Sequence, residues 1–285
     1  MIESVRKRLK YALPVGIKKA LKYAYYSLQD LGDFVKGNKS EYPPKRLNFV
    51  GSASFGKVGF EFFGYFKKFA DLKPNDRVLD IGCGIGRIAI PLTKYISREG
   101  LYEGFDIDNR GIKWCTKNLT SKCPNFHFQY VDLYNKYYNK KGKILSHDFV
   151  FPHTDNHFTF AFAISVFTHM LPEDVIHYLK ELHRVLMPGG RALITFFFID
   201  EEARANIEKG LSDANFKFNI DENSFYSHKD VREAEIGFNS DWILKQIENC
   251  GFMVKQFLPG NWSGKKLINE GGKAVSYQDF FIIQK

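Results

Sequence analysis

Three glycines alternate with larger residues in the run Val78-Leu79-Asp80-Ile81-Gly82-Cys83-Gly84-Ile85-Gly86-Arg87. Glycine permits a tight turn and lets a ligand approach the backbone closely. A helix starting beyond the loop would add unpaired N–H groups. Asp106 stands 20 residues after Gly86, at the end of Tyr102-Glu103-Gly104-Phe105-Asp106-Ile107-Asp108. In an open parallel sheet the ends of the first two strands are neighbours, and a carboxylate there can take both hydroxyls of a ribose. The competing role for Asp106 is a helix cap or a solvated turn. A dinucleotide fingerprint requires a small third residue, which would fall at position 87, and Arg87 stands there. The pattern therefore favours a nucleoside without a pyrophosphate, and Asp80 suits an amino group or a cationic ligand.

His169, in Ala163-Ile164-Ser165-Val166-Phe167-Thr168-His169-Met170, is the candidate catalytic residue. Its resting pKa near ~6.5 suits a general base. The alternative is a histidine that bonds a backbone group and only shapes a loop. His147, His153 and His157 are spaced by six and four residues. Pro152 and the Asp155-Asn156 turn argue against placing the last two on one helix face, so no metal site is expected there.

These residues need elements to hold them. Arg77–Ile81, Leu101–Asp106, Phe126–Val131, Phe158–Ser165 and Arg191–Phe198 read as strands, alternating with helices over Ile85–Tyr95, Asn109–Leu119 and Asp174–Leu186. That alternation predicts a parallel sheet with helices on both faces. Pro188-Gly189-Gly190 stops a helix and starts a strand. Further elements are a Phe-rich helix from Phe55 to Leu72, a helix from Asp241 to Cys250, and strands over Phe252–Leu258 and Tyr277–Ile283. Lys136–His147 is lysine-rich without a period and reads as a surface loop. Residues 200–238 read as a polar insertion whose Phe216, Phe218, Phe225, Tyr226 and Phe238 either line a lid or form a small core. Pro259–Gly264 reads as a strand-to-strand loop, with a reach into the pocket as the alternative.

The chain has 285 residues, 44% apolar and 26% charged, a globular composition. The longest nearly apolar run, Phe158–Phe167, is about half of the ~20 residues a membrane span needs. Lys18, Lys19 and Lys22 interrupt any apolar signal segment. The cysteines at 83, 115, 123 and 250 form no C-x-x-C pair, which suggests reduced thiols and a cytoplasmic protein. Residues 1–50 hold 11 Lys+Arg against 4 Asp+Glu, so +7 of the +9 net charge sits in an arm. A nucleic-acid groove across the body is not expected. Within the arm, residues 1–44, Ile17, Ala20, Leu21, Ala24, Leu28 and Leu31 recur at helical spacing. This stripe either packs on the body or lies on an anionic membrane or a partner, which would make the protein peripheral at the inner membrane surface.

The glycine run resembles the first motif of the class I S-adenosylmethionine-dependent methyltransferases. Pro152-His153-Thr154-Asp155-Asn156-His157-Phe158-Thr159 resembles that family's P-x-x-D-x-x-F-D segment, with Thr159 for the last aspartate, and Glu181–Gly190 resembles its helix-to-strand junction. The resemblance covers residues 49–198 well and 240–285 more weakly. It implies an α/β, Rossmann-like doubly wound, mostly parallel seven-stranded sheet over 45–285, behind the helical N-terminal arm. It implies S-adenosylmethionine as cofactor, leaving S-adenosylhomocysteine as product. Asp80, Gly82, Cys83, Gly84 and Gly86 would line its methionine end and Asp106 and Ile107 its ribose. Asp132 and Leu133, in Tyr130-Val131-Asp132-Leu133, would meet the adenine, and Ser165 would face the ligand from the fourth strand. The Asn-Pro-Pro-Tyr type motif of many nitrogen-methylating members is absent. The implied activity is methyl transfer to a small-molecule, saccharide or lipid-linked acceptor. The alternatives are aminopropyl-type transfer and a non-catalytic cofactor-binding module docked on a membrane or protein.

Overall fold

The computed structural model describes residues 15–36, 40–48, 55–265 and 276–285. Its main sheet holds β1 (Arg77–Ile81), β2 (Leu101–Asp106), β3 (Phe126–Tyr130), β4 (Phe158–Ala163), β5 (Leu186–Phe196), β10 (Met253–Leu258) and β11 (Asp279–Gln284). The spatial order is β10-β11-β5-β4-β1-β2-β3. The first five strands are mutually parallel, while β11 runs antiparallel to β5 and to β10. The fold is thus the mostly parallel seven-stranded, doubly wound sheet expected from the sequence. Strand order reverses between β1 and β4, which opens a crevice at their carboxyl ends.

Strand alternation assigns the two faces. Leu79 and Ile81 point into one core with Val175, Leu179 and Leu182 of helix α5 (Pro172–Val185), and with Ile243 and Ile247 of α7 (Ser240–Asn249). Val78 points into the other, with Phe62 and Phe66 of α2 (Phe55–Phe69). The Phe66 ring packs 5.1 Å from Phe160 and 4.6 Å from Phe162 between centroids. Both faces of β4 are buried, as in a central parallel strand.

Several elements differ from the sequence expectation. The helix expected over Ile85–Tyr95 shrinks to α3 (Ala89–Leu92) with turns before it. Pro91 lacks the N–H that would bond the Arg87 carbonyl. That carbonyl instead meets α2 at Gly59, where a β-carbon would sit 2.2 Å from it. Strand β5 starts at Leu186 rather than Arg191, because the Pro188-Gly189-Gly190 segment bulges within the strand, shifting the partner of β4 from Leu186 to Arg191. Phe198, expected at the end of that strand, begins β6 (Phe198–Ile199) of a second sheet. This sheet has the order β6-β9-β8-β7, with β7 at Phe218–Asn219, β8 at Ser224–Tyr226 and β9 at Ile236–Asn239. Together with α6 (Glu201–Glu208), the insertion packs Phe216 and Phe225 into a small core with Phe197, Ile199 and Trp262, while Ile236 and Phe238 of β9 are buried in the main core and Tyr226 packs against it. Trp262, from the loop that was a candidate to reach the pocket, is fully buried in that core.

In the arm, helix α1 spans Val15–Val35. Its apolar stripe does not pack on the body: Ile17, Leu21, Leu28 and Leu31 are 49–71% exposed. The polar side carries the attachment. Asp30 accepts from the backbone N–H groups of Lys45 and Arg46 at 2.7 and 3.0 Å, and Asp33 pairs with the Lys45 ammonium at 2.8 Å. Arg6, Lys7, Arg8 and the rest of the arm up to position 14 lie outside the described residues.

Candidate functional site

At the carboxyl end of β1 the chain turns through Gly82, Gly84 and Gly86, with φ of 76°, 56° and 77°. These left-handed values favour glycine. Gly82 is constrained twice, because a β-carbon there would also lie 2.6 Å from Val166. The Phe105 carbonyl ties the loop to β2 by accepting from Gly82 N at 2.9 Å and Cys83 N at 3.1 Å.

Asp106 closes the loop from the end of β2. One carboxylate oxygen accepts from Gly84 N at 2.7 Å and the other from Asp108 N at 2.7 Å. Capping falls to Asp108, which accepts from Arg110 N and Gly111 N at the start of α4 (Asn109–Cys115). Asp106 is therefore held rigidly without serving as the cap. Burial pushes its carboxyl up to about 6. Asp80 is 3% exposed and accepts a hydrogen bond from the Tyr102 hydroxyl. Burial, only partly offset by that hydrogen bond, pushes its carboxyl up to about 8. At neutral pH the buried Asp80 is mostly the neutral acid until a cation arrives beside it.

One cavity of about 1180 Å³ joins this region to the end of β4. Asp80, Gly82, Cys83, Gly84, Asp106, Ile107, Leu133, Ser165 and His169 all line it. Two of the candidate cofactor residues are not among its walls. Gly86 faces the neighbouring helix instead, where a β-carbon would come 2.9 Å from the Cys115 sulfur. Its lack of a side chain allows close packing under the loop. The Asp132 side chain turns aside to accept from the Tyr130 hydroxyl at 2.8 Å, while its neighbour Leu133 lines the cavity. Ser165 takes a left-handed φ of 58°, with its N–H donating to Thr195 Oγ1 at 2.8 Å and its hydroxyl to Gln278 at 2.9 Å. Such strain in a non-glycine residue is typical of ligand-facing turns.

His169 sits in the short turn Phe167–His169. Its Nδ1 lies 2.9 Å from the Glu233 backbone carbonyl, and its Nε2 lies 3.2 Å from the Tyr138 hydroxyl. A carbonyl only accepts, so Nδ1 carries the proton and Nε2 presents a lone pair to Tyr138. The Tyr137 ring stacks parallel to the imidazole at 5.8 Å, and Asn135 Nδ2 donates to the His169 carbonyl at 3.1 Å. His169 thus bonds a backbone group, and that bond leaves the Nε2 lone pair directed at the Tyr138 hydroxyl on the cavity wall.

Tyr137 and Tyr138 come from the stretch 136–147 expected to be a surface loop. It folds inward through bridges Leu133–Ile144 and Asn135–Asn139. Gly142 makes this possible, since a β-carbon there would lie 2.1 Å from the Leu133 carbonyl. Burial pushes the Tyr138 hydroxyl well above its usual range. Tyr23, Tyr25 and Tyr26 of α1, Tyr134, and Tyr178 of α5 also line the cavity. The only sequence signal for this wall was a paired aromatic inside a lysine-rich stretch.

The remaining candidates stand apart. His147 pairs with Asp174 at 3.0 Å, His153 with Glu103 at 3.0 Å, and the Arg77 guanidinium reaches His157. Asp155 pairs with Arg184 at 2.9 Å. Thr159 donates to Asp76 at 2.7 Å and accepts from Arg77 N at 2.9 Å, tying the strand start to its turn. Of the insertion, His228 reaches the cavity wall. All four cysteines are free thiols.

Residues 78–190 match the family model described as "Methyltransferase domain". A 2-phytyl-1,4-naphtoquinone methyltransferase from Nostoc sp. is 27% identical over 133 residues, 46% of this chain and 50% of that protein. A ubiquinone/menaquinone biosynthesis C-methyltransferase from Wigglesworthia glossinidia brevipalpis is 26% identical over 124 residues, 44% of each. The chain spans about half the length of the curated relatives it matches. A solved structure from Pyrococcus horikoshii shares the fold with a TM-score of 0.55 at 16% identity, covering 84% of this chain and 94% of that one. Sheet order, glycine loop and family match agree on a methyltransferase domain over residues 78–190, of the class I S-adenosylmethionine-dependent kind.

Proposed function

We propose that this protein transfers a methyl group from S-adenosylmethionine to a hydroxylated aromatic small molecule. The observation that carries the reading is the single cavity with the glycine loop and Asp106 at one end and a histidine–tyrosine pair at the other. Its volume of about 1180 Å³ exceeds the roughly 300–1,000 Å³ usual for one drug-sized ligand, which leaves room for two.

The donor set fits the cofactor. Asp106 is fixed where it can accept from ribose hydroxyls, and Gly82, Cys83 and Gly84 let a ligand lie against backbone. Asp80 is a carboxyl that ionises when an ammonium group comes beside it. Ile107 and Leu133 offer apolar surface for a base, and Ser165 borders the crevice. When bound, S-adenosylmethionine supplies an electrophilic methyl group on a sulfonium, leaving S-adenosylhomocysteine.

The chain's own residues then align and deprotonate the acceptor. Alignment of reactants is worth up to ~7–11 kcal/mol and is the larger share. The acceptor hydroxyl gives its proton to the Tyr138 hydroxyl as Tyr138 gives its own to His169 Nε2. The electron pair left on the acceptor is then available at oxygen or, through the ring, at carbon. The tyrosine wall suits a flat aromatic ring by stacking. The names of the quinone methyltransferases of Nostoc and Wigglesworthia support an acceptor of the quinol class. Calorimetric titration tests the donor half: S-adenosylmethionine should bind at low to mid micromolar affinity, and tighter binding of NAD would overturn the reading.

A further inference from the structure

Helix α1 is amphipathic, and it is mounted the unusual way round. A helix on a protein surface normally turns its apolar stripe to the core and its charges to water. Here the polar side, through Asp30 and Asp33, grips the turn Lys45–Leu47. The side chains of Lys22 and Tyr26 line the cavity from that side. The opposite face holds Ile17 at 49% exposure, Leu21 at 61%, Leu28 at 71%, Leu31 at 59% and Val35 at 77%. At 1.5 Å per residue this stripe runs about 27 Å along the protein surface.

We propose that this face of α1 docks on an anionic lipid bilayer and holds the mouth of the cavity against it. Charge selects this occupant. Residues 1–50 carry +7, and the two carboxylates of α1 are already engaged by Lys45 and Arg46. Lys18, Lys19 and Lys36 remain in α1 or directly beside it. An exposed apolar face on a segment of net positive charge is the pattern of a helix lying in the headgroup region, attracted by acidic lipids. No helix among the described residues is long and apolar enough to cross a membrane, so the contact is peripheral. Because the same helix forms a wall of the cavity, an amphiphilic acceptor could enter without passing through water. This last step rests on the methyl-transfer reading; the docking itself does not.

Flotation with vesicles tests the docking. The full chain is mixed with phosphatidylcholine vesicles with or without phosphatidylglycerol, at low and at 0.5 M salt, beside the Leu21→Glu/Leu28→Glu variant. Binding to the acidic vesicles is expected, at least tenfold weaker in the variant and several-fold weaker in high salt. Cofactor titration of both proteins runs in parallel and should be unchanged, since neither leucine lines the cavity. Equal behaviour of wild type and variant on vesicles would overturn the proposal. So would a wild-type dimer that the variant breaks in sedimentation, which would make a second copy the occupant. Loss of cofactor binding in both proteins would instead count against the methyl-transfer reading alone.

Discussion

The two halves of the cavity are built in opposite ways. The glycine-loop half comes from one stretch, residues 78–108, in which a strand, a turn and the next strand's end are neighbours in sequence and space. The tyrosine half is assembled from α1, the stretch 133–147, the turn at His169, and the insertion through Glu233 and His228. A locally built site is fixed by backbone geometry and tolerates little change. A site gathered from distant segments depends on their packing, and this is where related folds can change acceptor without changing donor.

That contrast breaks most sharply at His169. His169→Ala should lower methyl transfer to a hydroxylated aromatic acceptor by roughly 10²–10⁴-fold, the usual worth of a positioned base. Cofactor affinity should stay within about twofold. Tyr138→Phe, which keeps the ring and removes the relay, should fall between the two. A His169→Ala enzyme with near-normal turnover would move the base elsewhere.

In the other half, Asp106→Ala should weaken S-adenosylmethionine binding by ~1.5–3 kcal/mol, about 10- to 150-fold, as for hydrogen bonds to a charged group. The fold should persist, because capping of α4 rests on Asp108. Unchanged affinity in a calorimetric titration would place the ribose acid at another carboxylate.

A smaller effect follows from Asp80. Its carboxyl ionises near 8 in the free protein, and a bound ammonium favours the ionised form. Binding therefore expels a proton, and affinity should climb by up to about tenfold per pH unit below 8. Asp80→Asn should flatten that profile while weakening binding. Affinity independent of pH between 6 and 8 in the wild type would mean that Asp80 meets no cation.

The smallest effect is on the free protein's stability. The folded chain keeps a proton on Asp80 that the unfolded chain releases near ~3.9. Stability should therefore fall as pH rises from about 4 to about 8, where the folded group has lost its proton too. Thermal melts of Asp80→Asn should show a shallower decline, with a melting temperature a few degrees above wild type at pH 8. Parallel wild-type and variant curves would show that Asp80 carries none of the dependence.

How much could be read in advance follows the same division. Strand β1 at Arg77–Ile81 and β2 at Leu101–Asp106 matched the sequence reading residue for residue, because apolar runs bounded by glycine and turn residues are local signals. The helix over Ile85–Tyr95 failed at one residue, Pro91, whose missing N–H mattered more than the apolar period around it. Asp132 and Gly86 matched a motif and yet stand outside the cavity wall, since a motif gives order along the chain and not the rotamer or the neighbour. Tyr137 and Tyr138 were hidden among lysines, and an inward fold set by Gly142 has no periodic signature.

By itself, then, the sequence determined the alternating strands and helices, the glycine loop, the acid after the second strand and the charge of the arm. Each is a matter of residue type at short spacing, where backbone sterics and hydrophobic period act. Only the tertiary structure decided that His169 meets Tyr138, that the insertion divides its apolar residues between a small core and the main one, and that α1 turns its apolar face outward. Those outcomes depend on which distant surfaces bury each other. The Asp30 and Asp33 contacts with Lys45 and Arg46, not the period of the leucines, oriented the helix.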